Sequence, residues 1–154
     1  MTNPTLFTSR YAYKDLVAFD GLKVQISNGG PKWQVPYPLF VVKLLAPPYW
    51  IAWDSLFKDR YLAYLEEVGF DKIRDVLSKI SELNGNQSLV LLCHENVMKG
   101  KDCHRRHFAE WWEGKTGEKV EEVEKLIYDQ LPPEVAENKP PETPKASNIQ
   151  MKLF

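Results

Sequence analysis

Histidine and cysteine are scarce in this 154-residue chain, three and two respectively, and no internal repeat is present. A membrane-spanning run is also missing, because the longest greasy segment, LFVVKLLAPPYWIAW, is broken by Lys43, Pro47 and Pro48. The N-terminal MTNPTLFTSR lacks an apolar core followed by a small-residue cleavage site, so nothing marks the chain for export. The expectation is a cytoplasmic protein with no membrane contact, whose cysteines are reduced thiols. Charge of one sign is lacking too: 20 basic residues against 21 acidic give a net charge of -1. Spread along the chain, they create no field that would draw in nucleic acid or an anionic membrane.

What the chain does have is one domain's worth of core, with 44% apolar residues. LKVQISN (22 to 28) reads as a strand ending in the turn Gly29-Gly30-Pro31. From Asp54 to Leu83 the period becomes helical, and Asp71 is the expected N-cap of a segment carrying Ile73, Val76, Leu77, Ile80 and Leu83. SLVLLCHE (88 to 95) is an unbroken apolar run suited to a strand covered on both faces. A helix from Cys103 to Glu113 follows, with Asp102 as its cap and Gly114 or Gly117 to end it, then a second helix in EKVEEVEKLIYDQL. The stretch from Trp33 to Trp53 fits neither template and reads as an extended, packed connection. Alternating strands and helices predict a small Rossmann-like three-layer α/β domain with a mostly parallel sheet over residues 1–131. Residues 132–149, rich in proline and charge, read as a flexible tether to a terminal pentapeptide at 150–154.

All three histidines and both cysteines fall between Cys93 and His107. A loop from the carboxyl end of a buried strand into a helix N-terminus is where α/β folds hold ligands, since free amides and the helix dipole converge there. Cys103, His104 and Arg105 open that helix, which favours a thiolate at Cys103 and an anion beside Arg105. Four readings are open. One makes Cys103 a nucleophile with His94, His104, His107 or Glu95 as acid or base, Arg105 and Lys32 holding a phosphate or carboxylate. A second binds zinc through Cys93, His94, Cys103 and His104, against the alternation that turns adjacent strand residues to opposite faces. The third is a Cys93–Cys103 disulfide, and the fourth has all of these residues as packing. In the helix, Phe108, Ala109, Trp111 and Trp112 form the expected buried face, with Arg106, His107, Glu110 and Glu113 outward. Gly114-Lys115-Thr116 is not a phosphate loop, because Ala109 stands where that motif needs glycine. Gly29, Gly30, Lys32 and Trp33 form a turn whose amides could approach a ligand.

A Cys-Xaa-Glu strand end, a short loop and Cys-His-Arg-Arg opening a helix with an Ala-Glu-Trp turn resemble the domain-of-unknown-function family 488. SRYAYKDL, VQISNGGPKW and LAPPYWIAWDSLFKDRYLAYL add to the likeness, which spans about residues 8 to 123. The resemblance implies a small Rossmann-like protein with Cys93, Glu95, Cys103, His104 and Arg105 in one motif, Lys32 and Trp33 in another, and no settled reaction or cofactor. His94 departs from the pattern. Gln150, Met151, Lys152, Leu153 and Phe154 resemble the bacterial pentapeptide that docks on the DNA sliding clamp, with Leu153 and Phe154 as apolar anchors. The functional expectation is an accessory protein of DNA or nucleotide metabolism, encoded by a phage or other mobile element, that binds a nucleotide or nucleic acid and docks on the clamp. The alternatives are a non-enzymatic clamp adaptor or inhibitor and a small zinc protein.

Overall fold

The computed structural model describes residues 2–132; the tether beyond and the pentapeptide lie outside the described residues. Five strands form one all-parallel sheet: β1 (Leu6–Arg10), β2 (Leu22–Gln25), β3 (Leu39–Val41), β4 (Leu89–Cys93) and β5 (Glu121–Glu122), in the order β3-β2-β4-β1-β5. The fold class is therefore α/β. Strand β4 lies at the centre with all five residues buried, as an uninterrupted apolar run between two covered faces requires. Four helices accompany the sheet: α1 (Phe57–Val68), α2 (Phe70–Leu83), α3 (His104–Thr116) and α4 (Val123–Asp129).

Strand alternation sorts the core into two clusters. Leu89 and Leu91 join Leu6, Val24 and Ile26 under α1, α2 and α3. Val90 and Leu92 face the other way, beneath Tyr11, Tyr13 and Leu16 of the β1–β2 connection, Trp33, Tyr37, and Val123 and Ile127 of α4. The third layer is thus mostly turns and loop, closed by one short helix. The two halves meet in register: Leu6 pairs with Leu89 and Arg10 with Cys93, while Leu22 pairs with Leu89 and Gln25 with Leu92. That register brings Arg10, Cys93 and Ile26 side by side at the carboxyl edge.

Several local expectations are corrected. Helix α2 begins at Phe70 on Gly69, whose φ of +97° makes the break with α1, so Asp71 sits inside the first turn. Asp102 does not cap α3; Cys103 is the N-cap residue, and the Asp102 carboxylate instead lies 2.8 Å from His107 Nε2. Gly117, in the left-handed conformation, ends α3 as expected. Within the segment read as a second helix, Glu121 and Glu122 are taken as edge strand β5 before α4 starts. The Trp33–Trp53 connection contains strand β3 and a 3-10 turn at Lys43–Leu45. Among the described residues, no helix is long and apolar enough to cross a membrane.

Candidate functional site

The loop from His94 to Asp102 returns the chain to the edge it left, so Cys93 at the end of β4 and Cys103 at the start of α3 meet again. Their sulfurs and a ring nitrogen of His104 all lie within 4.8 Å of one another, and all three residues are buried. Both cysteines are free thiols. His104 Nδ1 stands 3.5 Å from Cys93 Sγ, while its Nε2 lies 2.6 Å from the carbonyl oxygen of Ile26, just past β2. A carbonyl can only accept, so Nε2 carries the hydrogen and Nδ1 presents a lone pair to the sulfurs. The Tyr61 ring packs edge-on against this imidazole, 5.4 Å between centroids, and fixes its plane.

The electrostatics of the two thiols diverge. A hydrogen bond from Cys93, with the nearby Arg105 charge adding to it, draws the Cys103 thiol well below the ordinary thiol range despite its burial. Cys93 moves upward, first because it gives that bond to Cys103 and then because it is buried. Burial likewise holds Tyr11 and Tyr61 in the phenol form. Tyr11 is hydrogen-bonded to Ser27 across 2.7 Å.

The open cup anticipated around residues 103 to 105 is not what the fold builds. Cys103 and Arg105 have no exposed surface. Arg105 turns into the interior, where Nε and Nη2 donate to the two oxygens of Glu122 at 3.1 and 2.7 Å. Glu122 also accepts from Thr8 Oγ1 at 2.7 Å. Burial works against the Arg105 charge, and the Glu122 hydrogen bonds and carboxylate outweigh it, leaving the guanidinium firmly charged. Arg105 is thereby committed to a protein carboxylate, and a thiol with no exposed surface offers a substrate no line of approach. Arg105 Nη1 remains buried without an acceptor. A second buried pair, Arg10 Nε with Glu124 Oε1 at 2.9 Å, lies at the end of β1.

His94 does not join the thiols. Its side chain is exposed, with Nε2 2.8 Å from the Gly29 carbonyl and its ring 4.8 Å from that of Tyr11. Gly29 and Gly30 are exposed beside it. Lys32 is exposed, Trp33 packs against the β1–β2 connection, and Glu95 is half-buried beyond β4. On α3, Phe108, Ala109, Trp111 and Trp112 form the buried face as expected. His107, expected outward, is 8% exposed, drawn in between Asp102 and the Phe57 ring.

The arginine that does reach a cavity is Arg106. A space of about 300 Å³ opens between α3, β5 and α4, lined by Arg106, Lys119 and Lys125, by Glu121, Glu122 and Asp129, and by Val97, Met98, Val120 and Leu126. Arg106 Nη1 is braced by Thr8 Oγ1 and the Val120 carbonyl, at 2.7 and 3.0 Å. Asp129 holds Lys125 at 2.6 Å, and Arg105 neutralises Glu122. The sequence pointed neither to this cavity nor to Glu122, which is one of four glutamates between 118 and 124. No family model, no curated protein and no solved structure matches the chain.

Proposed function

We propose that this chain is a binding protein of nucleotide or DNA metabolism whose α/β domain takes a small phosphate-bearing ligand at the carboxyl edge of its sheet. The observation that supports it is the cavity beside Arg106. Two cations, Arg106 and Lys119, line it without a carboxylate partner among the described residues and outnumber the one lining carboxylate that no cation pairs, Glu121, while an apolar wall including Met98 and Leu126 is suited to the ligand's body. Val97, Met98 and Arg106 reach the cavity from the segment that leaves the carboxyl end of β4, where open parallel sheets place ligands, and two cations suit a phosphomonoester better than a neutral molecule. The anion site thus shifts one residue, from Arg105 to Arg106, with Lys32 left out of it. The test is calorimetric titration with adenosine monophosphate and, separately, inorganic phosphate. Saturable binding of the nucleotide, weakened at least tenfold by Lys119→Glu, is the expected result. No saturation by either probe at millimolar concentration refutes the site.

The reading keeps two elements from the sequence. Membership of the domain-of-unknown-function family 488 rests on the motifs quoted above. Docking on the DNA sliding clamp rests on Gln150, Met151, Leu153 and Phe154, where an extended peptide buries two apolar anchors. Clamp capture by the full chain, lost in Leu153→Ala/Phe154→Ala, is the expected outcome. Undiminished capture by the double variant removes the tail from the proposal.

A further inference from the structure

We propose that Cys93, Cys103 and His104 form a binding site for a zinc-class metal ion, independent of the phosphate cavity. One donor pair is already spaced as a coordination sphere spaces it, and the third donor lies close by. Bond lengths of about 2.3 Å to sulfur and about 2.0–2.1 Å to nitrogen, at tetrahedral angles, put sulfur and nitrogen ligands roughly 3.5 Å apart. Cys93 Sγ and His104 Nδ1 are 3.5 Å apart, and the whole trio falls within 4.8 Å.

The surroundings of His104 are those of a metal ligand. A ligating imidazole donates its second nitrogen to a backbone carbonyl or carboxylate, which fixes the tautomer and aims the lone pair. The Ile26 carbonyl does this at Nε2, and Tyr61 clamps the ring from the side. The three donors come from β4 and α3, with the orienting carbonyl from the end of β2, so the ion would tie the central strand to the helix after it and to its neighbour.

Charge and donor type select the metal. Two thiolates cancel a dication, and the adjacent Arg105–Glu122 pair is already neutral, so the filled site adds no net charge to the interior. Two sulfurs and one imidazole nitrogen exclude calcium and magnesium, which take oxygen, and suit tetrahedral zinc. Three protein donors leave a fourth position for a water molecule. His94 takes no part, because its ring is held on the far side by Gly29 and Tyr11.

The test uses the full chain, reduced and stripped with a chelator, titrated with cobalt and then zinc. One cobalt per chain should bind, with sulfur-to-cobalt charge transfer and the strong visible bands of tetrahedral cobalt, and one equivalent of zinc should erase them. Cys93→Ser and His104→Gln should each weaken cobalt binding at least tenfold, while His94→Ala leaves it unchanged. Because either of the first two variants can disturb folding, X-ray absorption on the zinc-loaded wild type gives a second readout, with two sulfur neighbours expected. Absence of stoichiometric binding, a coordination shell without sulfur, or loss of binding in His94→Ala overturns the proposal. None of these outcomes bears on nucleotide binding at Arg106, so the two sites stand or fall separately.

Discussion

Replacing Glu122 by Gln tests whether Arg105 is a structural cation. The substitution keeps the shape of the side chain and removes its charge, leaving a guanidinium at 0% side-chain exposure beside a carboxamide. Solvent screening is negligible there, so the relevant magnitude is that of a buried pair broken on one side, about 3–5 kcal/mol. The Gln carbonyl can still accept from Arg105 or Thr8, which places the expected loss near the lower end, about 3 kcal/mol. For a domain of this size that corresponds to a fall of roughly 10 °C in Tm. At a urea slope near 2 kcal/mol/M it is a midpoint shift of about 1.5 M. Urea denaturation followed by far-ultraviolet circular dichroism measures it directly. The double variant Arg105→Met/Glu122→Leu should regain most of the loss, since an apolar pair of similar volume avoids stranding a charge. A loss below about 1 kcal/mol in Glu122→Gln would refute the reasoning, because it would mean that Arg105 does not depend on Glu122 for its counter-charge.

Gly21 precedes β2 with φ of +139°, and a Cβ there would stand 3.1 Å from both the Ser88 carbonyl oxygen and Val90 Cγ2, so Gly21→Ala should lower stability by about 2–3 kcal/mol in a urea titration. Gly85, at φ +77° with nothing within 4 Å, should cost about 1 kcal/mol when changed to Ala, and equal losses at the two sites would contradict the packing argument. Burial raises the phenols of Tyr13 and Tyr64 and pushes Tyr37 up to about 12, so the folded chain retains protons that the unfolded chain releases near pH 10. Stability is accordingly independent of these groups below about pH 10 and falls as pH rises from there to about 12, and a urea midpoint that stays flat across that window would show these phenols to be solvated.

The apolar half of the fold was legible and the polar half was not. Strand β4 announces itself as LVLLC, and α3 buries Phe108, Ala109, Trp111 and Trp112 as its spacing requires. Strand β1 is hidden because it reads Leu-Phe-Thr-Ser-Arg: its interior residues Thr8, Ser9 and Arg10 look like surface until Glu122 and Glu124 arrive from more than a hundred residues away. Strand β5 gives no signal either, being two glutamates whose extended pairing is imposed by β1. The same effect limited the reading of the site. The loop position correctly brought Cys93, Cys103 and His104 into consideration together, but a local reading could not see that Arg105 would find a carboxylate inside. Nor could it see that His94 would turn toward Gly29, although strand alternation gave the reason to separate it from Cys93.

The distribution of buried polar groups argues that the carboxyl edge is kept for function. Arg10, Ser27, His104, Arg105, Glu122 and Glu124 are all buried at or beyond that end of the sheet, whereas strand positions further back are held mainly by Leu6, Val24, Leu89, Val90 and Leu91. Apolar pairs would hold those places at equal or better stability, since burying a matched ion pair gains little over packed hydrocarbon. A domain selected only to stay folded has no reason to gather its ionic pairs at one end. The pairs do have a consequence for the thiols: they fix the start of α3 through Arg105, the end of β1 through Arg10, and the β5–α4 junction through Glu122 and Glu124. Cys103 is the N-cap of that anchored helix, and Cys93 is the register partner of that anchored Arg10. The ionic framework therefore sets the separation of two sulfurs and an imidazole, groups whose chemistry depends on distances of a few tenths of an ångström.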